Sequence, residues 1–298
     1  MSLDALILGG GPAGCACALW LKQLELEVAL IERAERLGGL QTTSPYPNTW
    51  IPGMIGKTGI DLARDMERHL KLVGVPLLTG CEPTRIRPSA DGFAIDIDRR
   101  SEPTIEAAHL VVATGVEPID GGFVASPDVL IGPGAAIDGH DFRGKSVAIL
   151  GGGDNAAENF GFIAAKSPAR MVLFARHVTA RPPLLRRVPV EARRIGPYEV
   201  DIDHRTVIEN GKSERFDVLV VLYGWQARIP APVLELGPVR DARGFLATDA
   251  ERRTSIPRMW AIGEVTQALH PCCITSMSDG VTAAKGIERE RRESSEGL

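Results

Sequence analysis

The sequence predicts an α/β chain built from two doubly wound units, and three observations carry that prediction. First, a short apolar strand, Leu6-Ile7-Leu8, runs into Gly9-Gly10-Gly11-Pro12-Ala13-Gly14 and then a helix-forming run. Second, the same order recurs as Val147-Ala148-Ile149-Leu150 and Gly151-Gly152-Gly153-Asp154-Asn155-Ala156, again opening a helix. Third, a second apolar strand follows each copy, Val28-Ala29-Leu30-Ile31 and Met171-Val172-Leu173-Phe174. Strand, glycine turn, helix and strand, twice over, are two βαβ beginnings in one chain.

The two helices are expected over 13–24 and 155–166. Between the copies, apolar residues at Leu62, Met66, Leu70 and Val73 predict an amphipathic helix over 60–73. Leu110-Val111-Val112-Ala113, Val218-Leu219-Val220-Val221 and Met259-Trp260-Ala261-Ile262 read as buried strands that end near glycines. Turn-forming residues cluster at 115–118 and 240–245, the expected crossings between the units. From Glu288 onward the chain is polar and charged, as a solvated helix end and frayed tail would be.

The glycines have a reason. In such a turn the first lets the chain leave the strand sharply, the second admits a pyrophosphate to the backbone, and the third packs helix against sheet. The helix N-terminus then offers free N–H groups and partial positive charge to the phosphates. A lone G-x-G-x-x-G is weak evidence. Here it follows a strand, opens a helix, and precedes a second strand that ends at Glu32, in the window for an acid that binds ribose hydroxyls. The second copy has Ala156 for the third glycine, and its second strand leads to Arg176 and His177 rather than to an acid. An Arg there accommodates a 2′-phosphate, favouring NADP(H) over NAD(H). The bland alternative is a surface Arg on a repurposed fold. Both units are thus expected to be Rossmann-like dinucleotide-binding domains.

Charge and patterning remove several function classes. The formal net charge is −4 and Lys and Arg form no long run, so no clear nucleic-acid face is offered. No apolar run approaches the ~20 residues of a membrane span. Met1-Ser2-Leu3-Asp4 leads straight into a strand without the pattern of an export signal, so a cytoplasmic location is expected. Five cysteines, an odd number, do not make a secreted-type disulfide framework. His69, His109, His140 and His204 lack metal-ligand spacing, and no metal site is expected.

Further signals are Gly38-Gly39-Leu40-Gln41-Thr42-Thr43, Asn48 with Pro52-Gly53, and the crossover Ala113-Thr114-Gly115. Thr254-Ser255-Ile256-Pro257 leads to Ala261-Ile262-Gly263-Glu264-Val265, and 275–280 opens the last helix. Together with both glycine turns, this set resembles the low-molecular-weight thioredoxin reductase group of FAD-dependent pyridine-nucleotide oxidoreductases over nearly the full length. The resemblance implies a homodimer whose FAD domain is discontinuous, 1–115 and 245–298, with the second dinucleotide domain inserted at 116–244. It implies FAD contacts at Gly9, Gly11, Pro12, Ala13, Gly14, Glu32, Arg33, Gly39, Gln41, Thr43, Asn48, Gly115, Gly263, Glu264 and Ile274. The second dinucleotide, NADP(H) or a second FAD, would fall to Gly151, Gly153, Asp154, Asn155, Ala156, Arg176 and Arg181.

Three departures matter more than the matches. Where the family carries Cys-x-x-Cys-Asp-Gly, this chain reads Gly134-Ala135-Ala136-Ile137-Asp138-Gly139, which excludes thioredoxin reduction through that dithiol. The family's His-Arg-Arg-x-x-x-Arg clamp is Ala175-Arg176-His177-Val178-Thr179-Ala180-Arg181, with two arginines kept. The Gly-Asp pair expected at the flavin ribityl chain is Gly263-Glu264. Before the last helix, His270-Pro271-Cys272-Cys273 stands where the family has Arg-Gln, and the resemblance puts that helix start near the isoalloxazine.

A helix N-terminus lowers a thiol pKa, so Cys272 and Cys273 are read as a redox pair with His270 as a proton carrier. The competing reading is two inert residues packed near the ring, since adjacent cysteines close only a strained disulfide. Cys15 is placed near the flavin phosphates and Cys17 in the core. The function expected is an FAD-dependent oxidoreductase that passes electrons between FAD, the second dinucleotide and a small-molecule or protein disulfide. Alternatives are a diflavin-linked disulfide oxidoreductase, a non-catalytic FAD-binding redox sensor, and a ferredoxin-linked reductase. For the last, the sequence offers no basic docking face.

Overall fold

The computed structural model describes residues 3–98 and 104–296. The chain forms two compact units, Met1–Val116 with Ala227–Leu298, and Glu117–Gln226. The first unit opens with β1 (Leu3–Leu8), α1 (Pro12–Gln23), β2 (Val28–Glu32), α2 (Gly59–Leu72), β3 (Leu77–Thr79), β4 (Pro83–Ser89), β5 (Gly92–Ile97) and β6 (Ile105–Val112). At the crossing comes β7 (Val116–Pro118). The second unit holds β8 (Val129–Ile131), α3 (Ala135–Gly139), β9 (Ser146–Leu150), α4 (Asp154–Ala164), β10 (Arg170–Ala175), α5 (Pro182–Leu185) and β11 (Arg193–Ile195). It continues with β12 (Glu199–Asp201), β13 (Thr206–Glu209), β14 (Lys212–Arg215) and β15 (Val218–Val221). The chain returns through β16 (Trp225–Ala227) to α6 (Ala231–Leu234), β17 (Met259–Ala261) and α7 (Cys273–Glu296).

In the first unit the sheet order is β3-β2-β1-β6-β5-β4, and β17 pairs with the end of β6. β1 runs parallel to β2 and β6, while β4 and β5 form an antiparallel hairpin against the start of β6. Strand side chains alternate between faces, which separates two cores. Ala5, Ile7, Leu30 and Val111 join Leu21 of α1, Leu70 of α2 and Ile287 of α7 on one face. Leu6, Leu8, Ile31 and Val112 pack with Phe93, Ile95 and Leu246 on the other.

Local chemistry sets the helix ends. Pro12 occupies the first helical position of α1, where a missing N–H costs nothing. Thr58 and Asp61 form a capping box at the start of α2. α7 lies against α1 through Gly280, where a Cβ would sit 2.4 Å from the Ala13 carbonyl oxygen. Only a glycine allows that approach.

The second unit carries a wholly parallel sheet, β11-β10-β9-β15-β8, and a separate antiparallel sheet, β12-β13-β14. Strands buried on both faces read as unbroken apolar runs, which is why β9 and β15 were legible. The short, half-exposed strands β12–β14 gave no such signal.

The return to the first unit differs from the turn-based expectation. It falls at Ala227, not at 245. Residues 227–244 belong with the first unit because Val233 of α6 is fully buried in its core, with Ala227, Ile229 and Leu236 packed alongside. The 240–245 segment is a genuine turn, in which Asp241 Oδ1 accepts from the Arg243 and Phe245 amides at 2.9 and 3.0 Å. It is a turn inside one unit.

Candidate functional site

A cleft of about 300 Å³ opens in the first unit, over the C-terminal ends of β1, β2 and β6. Open α/β sheets bind ligands at that edge. Gly9 leaves β1 with φ +107°, and a Cβ there would lie 2.4 Å from the Ala113 carbonyl oxygen. Gly14 packs so closely that its Cβ would reach 1.9 Å from the Gly9 oxygen. Gly11 is different: a Cβ there would meet only the Gly39 Cα, at 3.9 Å. The first glycine makes the turn, the third packs the helix, and the second faces open space.

No acid occupies the first turn of α1, and no side chain caps it. Its free N–H groups and dipole are therefore available to an anion. Glu32, 9% exposed, pins this turn: Oε2 accepts the Gly10 amide at 2.7 Å and Oε1 the Ala34 amide at 2.9 Å. Each carboxylate oxygen keeps a further acceptor position for a hydroxyl group. The residues fit a dinucleotide, with a phosphate cradle at Gly11 and an acid one strand away.

Most of the sequence-assigned contacts line this cleft: Gly9, Gly11, Pro12, Ala13, Glu32, Arg33, Gly39, Gln41, Thr43, Gly115 and Glu264. Gly14 and Gly263 lie behind the wall as packing glycines. Asn48, Ile274, His270 and Cys272 also lie outside its lining. Asn48 folds into a local turn, its Oδ1 accepting the Trp50 amide at 3.3 Å and its N–H donating to Lys57. Ile274 points outward and is 43% exposed, because the preceding residue takes the inward position at the start of α7. His270 is exposed and Cys272 half-buried, both ahead of that helix. Cys15 lies in the core with Cys17, its Sγ donating to the Gly10 carbonyl at 3.2 Å, and burial pushes both thiols up.

Other wall residues carried no sequence signal: Arg36, Cys81, Glu82 and Arg228; Ser276, within the 275–280 run, joins them. Arg228 forms an ion pair with Glu82, and its amide donates to Gly115 at 3.0 Å. These partners are far apart in sequence, so only the fold joins them.

The two adjacent thiols separate sharply. Cys273 lines the cleft, and burial, followed by the neighbouring Cys272 and Glu264, pushes it up to about 12. Cys272 is lowered: burial opposes this, but the Thr275 hydroxyl, 3.3 Å from Sγ, and the Thr275 and Ile274 amides outweigh it. The helix-start effect expected for both reaches only the first. Burial also pushes the Glu264 carboxyl above its usual range.

In the second unit, Gly151 has φ +145°, and its Cβ would meet the Leu222 oxygen at 2.2 Å. Gly153 is open, with only Thr179 Oγ1 at 3.7 Å, and Ala156 is fully buried. Asp154 opens α4 and binds Arg181 twice, its Oδ1 accepting the amide at 2.7 Å and its Oδ2 pairing with Nε at 2.6 Å. Arg181 is thus tied down. Arg176 stays exposed, its guanidinium 5.9 Å from the centre of the Tyr198 ring. Asn155 uses its carbonyl within the helix, accepting from Asn159 Nδ2 at 2.8 Å. At the position of the missing dithiol, Ile137 is fully buried beside Leu130, Phe142 and Ile163.

The pyridine nucleotide-disulphide oxidoreductase family model matches residues 3–286. The chain belongs to that family. Among its relatives, this oxidoreductase is 26% identical to the thioredoxin reductase of Listeria monocytogenes, across 99% of this chain and 96% of that one. It is 28% identical to the ferredoxin–NADP reductase of Limosilactobacillus fermentum, across 96% and 93%. The crystal structure of Lactococcus lactis thioredoxin reductase superposes with a TM-score of 0.79 over 97% of this chain and 98% of that one, at 23% identity, a likeness of fold. The chain is an FAD-dependent oxidoreductase of thioredoxin-reductase-like type, but the buried Ile137 distinguishes it from a conventional thioredoxin reductase. Among the described residues, no helix is long and apolar enough to cross a membrane.

Proposed function

We propose that this oxidoreductase holds FAD in the first cleft, NADP(H) at the second glycine turn, and passes electrons on to a disulfide through Cys272 and Cys273. The observation that carries the reading is the cleft wall itself. It joins an open anion-binding helix start, a ribose-ready acid at Glu32, and a thiol at Cys273. Bound there, FAD supplies two-electron chemistry through its isoalloxazine.

The chain's own groups have distinct tasks. The α1 amides and Gly11 receive the pyrophosphate, Glu32 the ribose, and Glu264 the ribityl hydroxyls. Gln41, Thr43 and Gly115 shape the remaining wall. Cys272, the more acidic thiol, serves as the outward nucleophile, because the thiolate is the attacking form. Cys273, held protonated at neutral pH, keeps its proton until its partner sulfur has reacted. His270, exposed beside the pair, exchanges protons with solvent. Arg176 supports NADP(H) over NAD(H), since an exposed guanidinium after the second strand can accommodate a 2′-phosphate. We place the protein in a reducing cytoplasm, consistent with its free cysteines, and as a homodimer.

The test is purified protein assayed with NADPH and a model disulfide, against Cys272→Ser and Cys273→Ser. Loss of disulfide reduction, with flavin reduction by NADPH intact, is expected for both variants. Unchanged disulfide turnover in the double variant would contradict the thiol role. A second reading, delivery of electrons to a carrier protein without any thiol step, is supported by similarity to a ferredoxin–NADP reductase and by the buried Ile137. That outcome leaves turnover with an artificial one-electron acceptor untouched in the double variant.

A further inference from the structure

After β17 the chain crosses the cleft floor as Ile262, Gly263 and Glu264, and the two flanking residues line the cleft. Gly263 has φ +73°, and a Cβ there would lie 2.8 Å from Ala13 Cβ, so the turn presses on the first residues of α1. Its N–H points away from the cleft and donates to Asp279 Oδ2 at 3.0 Å. Asp279 Oδ1 accepts from Arg252 Nε at 2.6 Å. Both partners are buried, Asp279 to 2% exposure and Arg252 to 9%.

Arg252 grips the same segment a second time, its carbonyl accepting the Ala261 amide at 3.0 Å. It does so with φ +73°, a left-handed backbone that a non-glycine residue adopts only when its surroundings impose it. Residues 261–263 are therefore bracketed, by the Arg252 carbonyl at one end and the Asp279 carboxylate at the other. Asp279 is itself fixed, because the adjacent Gly280 is the point where α7 meets α1. The cradle at Gly11–Ala13, the floor at Gly263–Glu264 and the last helix all converge on one buried carboxylate.

We propose that Asp279 and Arg252 form a positioning pair that presents the Gly263–Glu264 floor to the flavin-bearing part of the cofactor. The inference rests on the FAD reading above and adds to it two residues that do not themselves line the cleft. Their action is indirect. Asp279 holds the Gly263 amide, which sets where the Glu264 carboxylate stands, and Arg252 holds the Asp279 carboxylate in its orientation.

A buried ion pair kept only for stability can be exchanged for apolar residues of similar volume with little loss. A positioning pair cannot, because the Gly263 amide would lose its acceptor. Two double variants separate these cases, each stripped of flavin and titrated with FAD, with thermal unfolding and the visible spectrum recorded alongside. Arg252→Met with Asp279→Leu removes charge and acceptor, whereas Arg252→Met with Asp279→Asn removes the charge and keeps an acceptor.

The Leu variant is expected to bind FAD about tenfold or more weakly, with a less structured flavin absorption band, even where its apo form unfolds near the wild-type temperature. The Asn variant should bind within about threefold of wild type. Wild-type affinity and spectrum in the Leu variant would overturn the positioning role. The Asn variant decides even if the Leu variant does not fold, since a tenfold loss there contradicts the acceptor role. A wild-type chain that binds no FAD overturns the FAD reading itself, a result distinct from either.

Discussion

The two glycine turns begin from nearly the same sequence and end as different surfaces. At the first, Glu32 is buried beneath the turn and binds the Gly10 amide, while the helix start stays free of acids. At the second, the acid stands in the helix start itself, where Asp154 captures Arg181 from the loop after β10. One turn is braced from behind and left open to an anion. The other carries an ion pair at its helix start, and under the proposed function its choice of nucleotide rests on the exposed Arg176. A strand–turn–helix fingerprint therefore predicts a dinucleotide, but where the acid stands, at the end of the second strand or in the helix start, decides how the turn is held.

The largest effect expected from breaking this comparison lies in the turns' shared geometry. Gly9→Ala and Gly151→Ala each combine a positive φ with a Cβ driven to 2.4 or 2.2 Å from a carbonyl oxygen. Each should cost about 3 kcal/mol or more. Calorimetry should show each lesion acting mainly on its own unit, and only Gly9→Ala should release FAD. Equal flavin loss from both would remove the distinction.

Acid should also find the first unit before the second. His109 is buried against Trp260, whose Nε1 donates to Nδ1 at 3.3 Å, and burial, then the Arg258 charge, depresses it to about 4. The folded state thus prefers the neutral ring, and below its ordinary value near 6.5 the unfolded chain binds the extra proton. Stability from this group is complete above pH ~6.5 and is lost as pH falls towards 4, by up to about 3 kcal/mol. His140 in the second unit is also lowered by burial, but it is less enclosed and the loss should be smaller. His109→Phe should flatten the first unit's pH dependence in denaturant titrations. An unchanged slope would refute it.

Next in size is the brace. Glu32→Ala strands two amides and should cost about 2 kcal/mol together with FAD affinity. Asp154→Ala removes a more exposed pair and should cost within about 1 kcal/mol. The smallest effect is kinetic: Arg176→Ala should raise KM for NADPH about tenfold and leave that for NADH nearly unchanged. Parallel changes with both nucleotides would show that Arg176 reads no 2′-phosphate.

What the sequence made legible follows physical lines. The parallel strands were readable because burial on both faces demands continuous apolar runs, as at 218–221. The helix at Gly59–Leu72 was readable from its spacing, and its capping box fixes the start. The antiparallel strands β4, β5 and β12–β14 were not, since polar, partly exposed positions such as Arg85, Arg87 and Glu214 hide their periodicity. The second crossing was misplaced because Asp241 and Gly244 form a real turn, and turn chemistry does not report which core the flanking residues join. The Arg228–Glu82 and Arg252–Asp279 pairs join residues remote in sequence, so no local pattern could announce them. The sequence does not distinguish Cys272 from Cys273, whereas in the structure α7 begins at Cys273 and only that thiol lines the cleft.

The central claim is that the braced, open turn holds FAD while the ion-paired turn serves NADP(H). It is tested most directly by counting flavin on the purified chain and following its visible spectrum under anaerobic NADPH. One FAD per chain, reduced rapidly by NADPH and far more slowly by NADH, is the predicted result. Two flavins per chain with no reduction by NADPH, or no flavin at all, would contradict it.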